Sequence, residues 1–327
     1  MRIAHIADTH IRNYRYHKEY RSVFEQLFQK LKEQKVDCIV HCGDIAHTKT
    51  QLSPEYFQLA TEFLAGLAEV APTYIVLGNH DGNLKNSNRQ DAITPIVNAL
   101  GHSNLHILKD SQEIYIGQNI KFNVLSVFDE ENWIKPTDEE NINIALYHGS
   151  ISGVKTDIGW TMSDGDHNIN IFDDFDYAFL GDIHKTNQVL DHDGKVRYPG
   201  STIQQNFGET NDKGFLIWDI QNKDIFTCEH FALDNPKPFI TVNLTATGRM
   251  PRKLNIPQGA RVRLVSTNNL SVQQMHRAVE VAKHRFKPES VVFLNRSAGQ
   301  RGDIEKYAGN IEQENLRDIA VLEKFIR

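Results

Sequence analysis

Short apolar runs alternate with stretches of helical period through the first half of the chain, the pattern of a layered α/β architecture. Ile3 to Ala7 and Cys38 to Cys42 read as core strands, and between them Tyr20, Val23, Phe24, Leu27, Phe28 and Leu31 recur at helical spacing. Ser53-Pro54 is a helix start, followed by Phe57, Ala60, Phe63, Leu64 and Leu67 on one face and then by a strand from Thr73 to Leu77. A third helix is predicted over Asp91 to Leu100, with later strands at Phe122 to Val127, Ile142 to Tyr147, Tyr177 to Leu180 and Gly214 to Trp218. No internal repeat is visible.

The pattern breaks at Asp234-Asn235-Pro236-Lys237-Pro238, where two prolines in three residues interrupt regular structure. Beyond it a small α/β unit is predicted: strands near Phe239 to Leu244, Arg261 to Val265 and Ser290 to Asn295, with a helix from Val272 to Phe286. A polar, glycine-punctuated tail follows, and Leu316, Ile319, Ala320, Leu322 and Phe325 mark an amphipathic helix whose apolar face suits either its own protein or a partner. The expected division is therefore residues 1–235, 236–298 and 299–327, the last a tail and helix suited to partner binding.

Charge changes sign at the same boundary. Through Asn235 there are 20 Lys and Arg against 34 Asp and Glu, a balance of −14, whereas from Pro236 onward 16 face 8, a balance of +8. No acidic residue lies between Pro236 and Val279, while Lys237, Arg249, Arg252, Lys253, Arg261, Arg263 and Arg277 do. Alone this is a solvated basic face as readily as a phosphate-binding one.

The whole chain has 327 residues, 40% of them hydrophobic and 24% charged, which suits a folded protein and excludes low-complexity and wholly disordered classes. No apolar run approaches the roughly 20 residues needed to span a bilayer, and the amino terminus lacks a secretory core, so an intracellular, cytoplasmic protein is expected (in the host cytoplasm if viral). Cys38, Cys42 and Cys228 have no paired zinc spacing and read as thiols.

The chemistry sits where strands end. Five times an apolar run gives way at once to metal-capable residues: Asp8-Thr9-His10, Gly43-Asp44, Gly78-Asn79-His80-Asp81, His148-Gly149 and Gly181-Asp182-Ile183-His184. In α/β sheets the carboxyl ends of strands open onto the binding crevice, so these distant residues can converge there. Mixed carboxylate, imidazole and amide ligands suit Mn²⁺ or a similar divalent ion. Each piece alone is an ordinary turn, but the ordered set of five is not.

That order resembles the calcineurin-like metallophosphoesterases and, more narrowly, the SbcD-type nuclease subunits of double-strand-break repair complexes, including phage-encoded recombination versions. The narrower resemblance rests on Arg2 to His10, Gly43-Asp44-Ile45-Ala46-His47, Gly78-Asn79-His80-Asp81, and Tyr198-Pro199-Gly200-Ser201 followed by Phe207-Gly208-Glu209. It covers about residues 1–220. Protein phosphatases of the superfamily carry Asp-Arg-Gly after the second motif, where Ile45-Ala46-His47 stands here.

The resemblance implies a four-layer α/β sandwich flanked by helices, with a small α/β capping domain. It also implies two divalent ions, Mn²⁺ first and Mg²⁺ second, bridged by Asp44, with Asp8, His10 and His184 completing one site and Asn79, His148 and Asp182 the other. His80 becomes the general acid and His47 a substrate-positioning residue; Arg249, Arg252 and Lys253 are the expected DNA contacts. A homodimer joined near residues 54–100 and an SbcC-type coiled-coil ATPase partner are implied too, since the chain has no Gly-x-x-x-x-Gly-Lys motif of its own. One departure stands out: the family usually has His where this chain has Asp182, a substitution that leaves three carboxylates in the ligand set. The competing readings are a phosphoesterase for nucleotides or small esters and a non-catalytic DNA-end scaffold.

Overall fold

The computed structural model describes residues 1–50, 52–86, 88–137 and 140–296. The chain divides into two compact units, Met1–Pro236 and a second that starts at Lys237. The C-terminal helix expected within 299–327 lies outside the described residues.

In the first unit the chain runs β1 (Arg2–Ile6), α1 (His17–Gln34), β2 (Cys38–Cys42), α2 (Pro54–Ala68), β3 (Thr73–Val76), α3 (Thr94–Leu100) and β4 (Leu105–Leu108). It continues as β5 (Gln112–Ile116), β6 (Ile120–Leu125), β7 (Ile142–His148), β8 (Tyr177–Gly181), β9 (Gln188–Val189) and β10 (Val196–Tyr198). It returns through β11 (Gly214–Ile220) and β12 (Phe226–Ala232). Two six-stranded mixed sheets result, in the orders β12-β11-β1-β2-β3-β4 and β5-β6-β7-β8-β10-β9.

Strand alternation explains the layering, since successive side chains point to opposite faces. Cys38, Val40 and Cys42 of β2 and Ile142, Ile144 and Leu146 of β7 enter one shared core with Trp218 and Phe179, so the sheets pack face to face. Their alternates face outward. His41 meets Phe63 of α2, with ring centroids 5.9 Å apart, on the helical side. On the other side Ala145 and Tyr147 pack with Ile151, Val154, Phe172 and Tyr198, where the 3₁₀ turn Ile169–Phe172 lies. Both faces of β2 and β7 are thus buried, as their unbroken apolar runs require.

Some expectations shift. α3 begins at Thr94 and not at Asp91, because the Asp91 carboxylate accepts from the backbone N–H of Ile93 (2.9 Å) and Thr94 (2.6 Å) and so holds the preceding turn out of the helix. β5 and β12 give no clear sequence signal because they are half-exposed sheet edges without a long apolar run.

The second unit comprises β13 (Phe239–Asn243), β14 (Arg261–Ser266), α4 (Val272–Phe286) and β15 (Ser290–Asn295). The three strands are parallel in sequence order. α4 starts with a capping box in which Ser271 Oγ accepts from Gln274 N and the Gln274 side chain accepts from Ser271 N. Its Ala278, Ala282 and Phe286 close a small core with Val242, Val262 and Leu264.

Candidate metal centre

The five strand-end motifs meet at one edge. β1, β2 and β3 are parallel in one sheet and β7 and β8 in the other, so their carboxyl ends deliver Asp8, His10, Asp44, Asn79, His80, His148, Asp182 and His184 to one place. The backbone there is strained. Asp8 (φ 52°), His10 (φ 46°), Asp44 (φ 59°) and Asp182 (φ 99°) are four of the seven non-glycine residues with positive φ among the described residues. Such conformations cost on the order of 1–3 kcal/mol each and persist where surrounding structure enforces them.

What enforces them is visible. The buried Asp81 carboxylate accepts from the backbone N–H of Asp44 (2.8 Å), Ala46 (2.8 Å) and Gly78 (3.0 Å), tying the loop after β2 to the loop after β3. The glycines of the motifs let these loops close up: a Cβ on Gly43 would stand 2.3 Å from the His148 ring, and one on Gly78 would stand 2.1 Å from Asp44 Oδ1. Asp8 is fixed as well, because its two carboxylate oxygens each accept from Asp182 N at 3.1 Å.

Asp44 stands between two imidazoles. Its Oδ2 is 3.5 Å from His10 Nε2 and its Oδ1 is 3.3 Å from His148 Nε2, while the His80 backbone N–H donates to Oδ1 at 2.9 Å. Three overlapping groups each bring potential ligand atoms within 4.8 Å of one another: Asp8, His10 and His184; His10, Asp44 and His80; Asp8, Asp44 and His148. Asp182 Oδ1 lies 3.9 Å from His148 Nε2 and accepts from Asn79 Nδ2 at 3.4 Å, so the expected second ligand set is also brought together.

The donor chemistry fits a divalent cation. His148 Nδ1 pairs with the Cys42 carbonyl at 2.7 Å, which leaves Nε2 facing the carboxylates, fully buried and without a hydrogen-bond partner. His184 Nδ1 pairs with Glu209 Oε1 at 2.9 Å and turns its Nε2 to within 2.9 Å of His10 Nε2. A carboxylate or carbonyl behind each imidazole orients the ring and makes it a better ligand.

Electrostatics point the same way. Burial raises Asp8 to about 7 and also raises Asp182, because charge is costly there without a counter-ion. Burial alone would lower His148, yet Asp44, Asp8 and Asp182 hold it well above the ordinary imidazole value. Burial opposes a charged His184 too, but Glu209 outweighs it and the ring rises to about 9. Protons thus stand where a cation belongs, whereas burial keeps His10 well below the ordinary value and neutral.

A metal must displace those protons. Below about pH 7 Asp8 is protonated and below about pH 9 His184 is, so affinity is expected to rise with pH through that window and flatten above it. Calorimetric titration with Mn²⁺ at pH 7 in two buffers of different ionisation enthalpy should show net proton release. Equal heats in both buffers would remove this cluster as the binding site.

Among the other expected residues, His47 lies beside the cluster, with its ring centroid 5.7 Å from His10, and burial followed by the charge of Arg12 lowers it to about 4. His80 Nδ1 pairs with the His47 carbonyl at 2.6 Å. Tyr198-Pro199-Gly200-Ser201 is a supporting turn: Tyr198 Oη donates to the Gly149 carbonyl at 2.7 Å, and Ser201 N donates to the His184 carbonyl at 3.2 Å. Outside the expected set, Trp133 anchors its loop, its indole N–H donating to the Ser126 carbonyl at 2.8 Å.

Arg249, Arg252 and Lys253 are all exposed on the connection between β13 and β14, and Arg285 of α4 donates to the Arg252 carbonyl at 2.9 Å. Two other cations of the acid-free stretch are structurally engaged, since Lys237 (2.7 Å) and Arg261 (3.3 Å) both pair with Glu289.

Three supporting residues went unassigned in the sequence. Asp81 and Glu209 each stood at the end of a motif but without a role, while Lys213 had no signal, being a loop residue far along the chain. Lys213 is fully buried; it donates to the His184 carbonyl at 2.7 Å and pairs with Asp157 at 2.8 Å.

Among known proteins, the calcineurin-like phosphoesterase family matches residues 1–186, more than half of the chain. An uncharacterised protein of Acanthamoeba polyphaga mimivirus is 35% identical over 286 residues, covering 83% of this chain and 21% of its own length. A provisionally named phosphoesterase of Invertebrate iridescent virus 6 is 29% identical over 196 residues, covering 56% of this chain and 64% of its own. The chain therefore spans about a fifth of the first relative and just under two thirds of the second.

Proposed function

Because the chain belongs to the calcineurin-like phosphoesterase family, we propose that it is a metal-dependent phosphodiesterase that cleaves DNA. The observation that carries the phosphoesterase part is Asp44, whose two oxygens face His10 at 3.5 Å and His148 at 3.3 Å and can serve two ions at once. In this reading Asp8, His10, Asp44 and His184 hold one ion, and Asp44, Asn79, His148 and Asp182 the other; imidazole with carboxylate favours Mn²⁺ over Mg²⁺. Such a pair supplies charge to the phosphate oxygens and acidifies the attacking water.

The protein's own residues do the rest. His80 gives its proton to the leaving oxygen, with the His47 carbonyl holding Nδ1 so that Nε2 is the donating atom. His47 positions the phosphate beside it. The DNA assignment rests on the SbcD-like motifs and on the exposed Arg249, Arg252 and Lys253, which suit a phosphate backbone. A homodimer and an SbcC-type ATPase partner belong to the same reading. No helix among the described residues is long and apolar enough to cross a membrane.

The test is an assay of linear duplex DNA beside a p-nitrophenyl phosphodiester, with Mn²⁺, with Mg²⁺ and with chelator. Mn²⁺-dependent shortening of DNA is expected; cleavage of the small ester alone would transfer the protein to small phosphate esters. Replacing Arg249, Arg252 and Lys253 together by Gln should leave ester hydrolysis intact. It should also flatten the salt dependence of duplex binding, by about 0.9 in log–log slope for each phosphate that is no longer neutralised.

A further inference from the structure

The segment between β7 and β8 carries a small hairpin that the proposed mechanism does not use. Lys155 and Thr161 pair across it, Thr156 N donates to the Trp160 carbonyl at 2.9 Å, and Gly159 N donates to the Thr156 carbonyl at 2.9 Å. Its root is secured, since Met162 N donates to the carbonyl of Val154, which is buried in the core under the second sheet. Its tip is apolar and open: Ile158 is 75% exposed and Trp160 56% exposed. Gly159 turns the chain at φ +81°, with nothing within 4 Å of where a side chain would begin. An exposed tryptophan beside an exposed isoleucine is an apolar pair of the kind that marks interaction sites.

The hairpin is tied to the metal centre. Asp157 pairs with the buried Lys213 at 2.8 Å and accepts from Thr210 Oγ1 at 2.9 Å, and the same Lys213 ammonium donates to the His184 carbonyl at 2.7 Å. Ile158 also lies beside Gly208, next to the Glu209 that orients His184. Along the other flank runs an open groove lined by Lys155, Lys185, Asn187 and Gln188, with no carboxylate in its wall. The tip therefore has a fixed position relative to a metal-facing imidazole and a cationic groove beside it.

We propose that this hairpin is a nucleobase-binding element in which Trp160 and Ile158 pack on a base near the scissile phosphodiester, while Lys155 and Lys185 take the backbone phosphates. An aromatic face with flanking cations suits single-stranded nucleic acid, where stacking on a base tolerates any sequence. The occupant is thus a frayed or single-stranded DNA end. The inference rests on the DNA-cleaving reading and gives that site its substrate form.

The experiment uses the full chain with Trp133→Phe as the background, which leaves Trp160 and the buried Trp218 as the tryptophan fluorophores. Titration with a single-stranded oligonucleotide in Ca²⁺ should quench the Trp160 emission, and Trp160→Phe should remove the quenching while keeping most cleavage. Trp160→Ala should raise KM for single-stranded ends about 10-fold, the equivalent of ~1.4 kcal/mol, with the small ester cleaved at the parental rate. If the parent cleaves DNA but Trp160→Ala and Ile158→Ala keep its KM and no quenching is seen, the hairpin assignment falls and the nuclease reading stands. If the parent cleaves the ester and no DNA, the nuclease reading falls and takes this inference with it.

Discussion

Asp182→Ala is expected to reduce metal binding from two ions to one and to remove most cleavage, because one ion cannot serve both the attacking water and the phosphate. The expectation follows from Asp182 lying 3.9 Å from His148 Nε2 and 3.4 Å from Asn79 Nδ2, on the side of Asp44 away from His10. Asp182→His should restore much of the second site and move half-maximal activity to lower pH. Removing one of three carboxylates leaves the site more positive and the attacking water more acidic. Metal occupancy by calorimetry and rates from about pH 6 to 9 read the two effects separately. Two ions and normal cleavage in Asp182→Ala would end the ligand assignment; an unshifted profile in Asp182→His would end only the charge argument.

His80→Asn should lose about 10² to 10⁴-fold in turnover, the usual contribution of a general acid, with metal stoichiometry and DNA affinity unchanged. The separation is possible because His80 holds Asp44 through its backbone N–H and not through its ring. The ring has one nitrogen engaged by the His47 carbonyl and the other free for proton transfer. A substrate with a good leaving group needs less protonation, so the loss should shrink on a nitrophenyl ester. Equal loss on both substrates would argue that His80 serves the metal and not the leaving group.

Much of this site is legible in the sequence because its chemistry is local to strand ends. An apolar run followed at once by Asp-x-His or Gly-Asp locates a side chain on a sheet edge, and parallel order does the rest. The roles of the residues that hold those side chains in place were not legible. Glu209 reaches His184 from 25 positions away and Lys213 from 29, so no spacing rule links them. Charge along the chain misled in one respect: the acid-free stretch is not free of acid in space, because Glu289 folds back onto Lys237 and Arg261. β2 is legible to the residue, since both its faces are buried, whereas α3 is shorter than its pattern because Asp91 holds the turn before it out of the helix.

The Asp81 clamp separates two jobs that small metal sites often combine. The loops carrying Asp44, Asn79 and His80 are positioned by backbone amides on a buried carboxylate, and none of those bonds involves a ligand side chain. Ligand side chains that hold no backbone amide, such as those of Asn79 and Asp182, can therefore be exchanged over this framework, whereas Asp8 and Asp44 also accept from the backbone N–H of Asp182 and His80. The ion preference is thus open to single substitutions at Asn79 and Asp182, with the Asp81 clamp holding the loops.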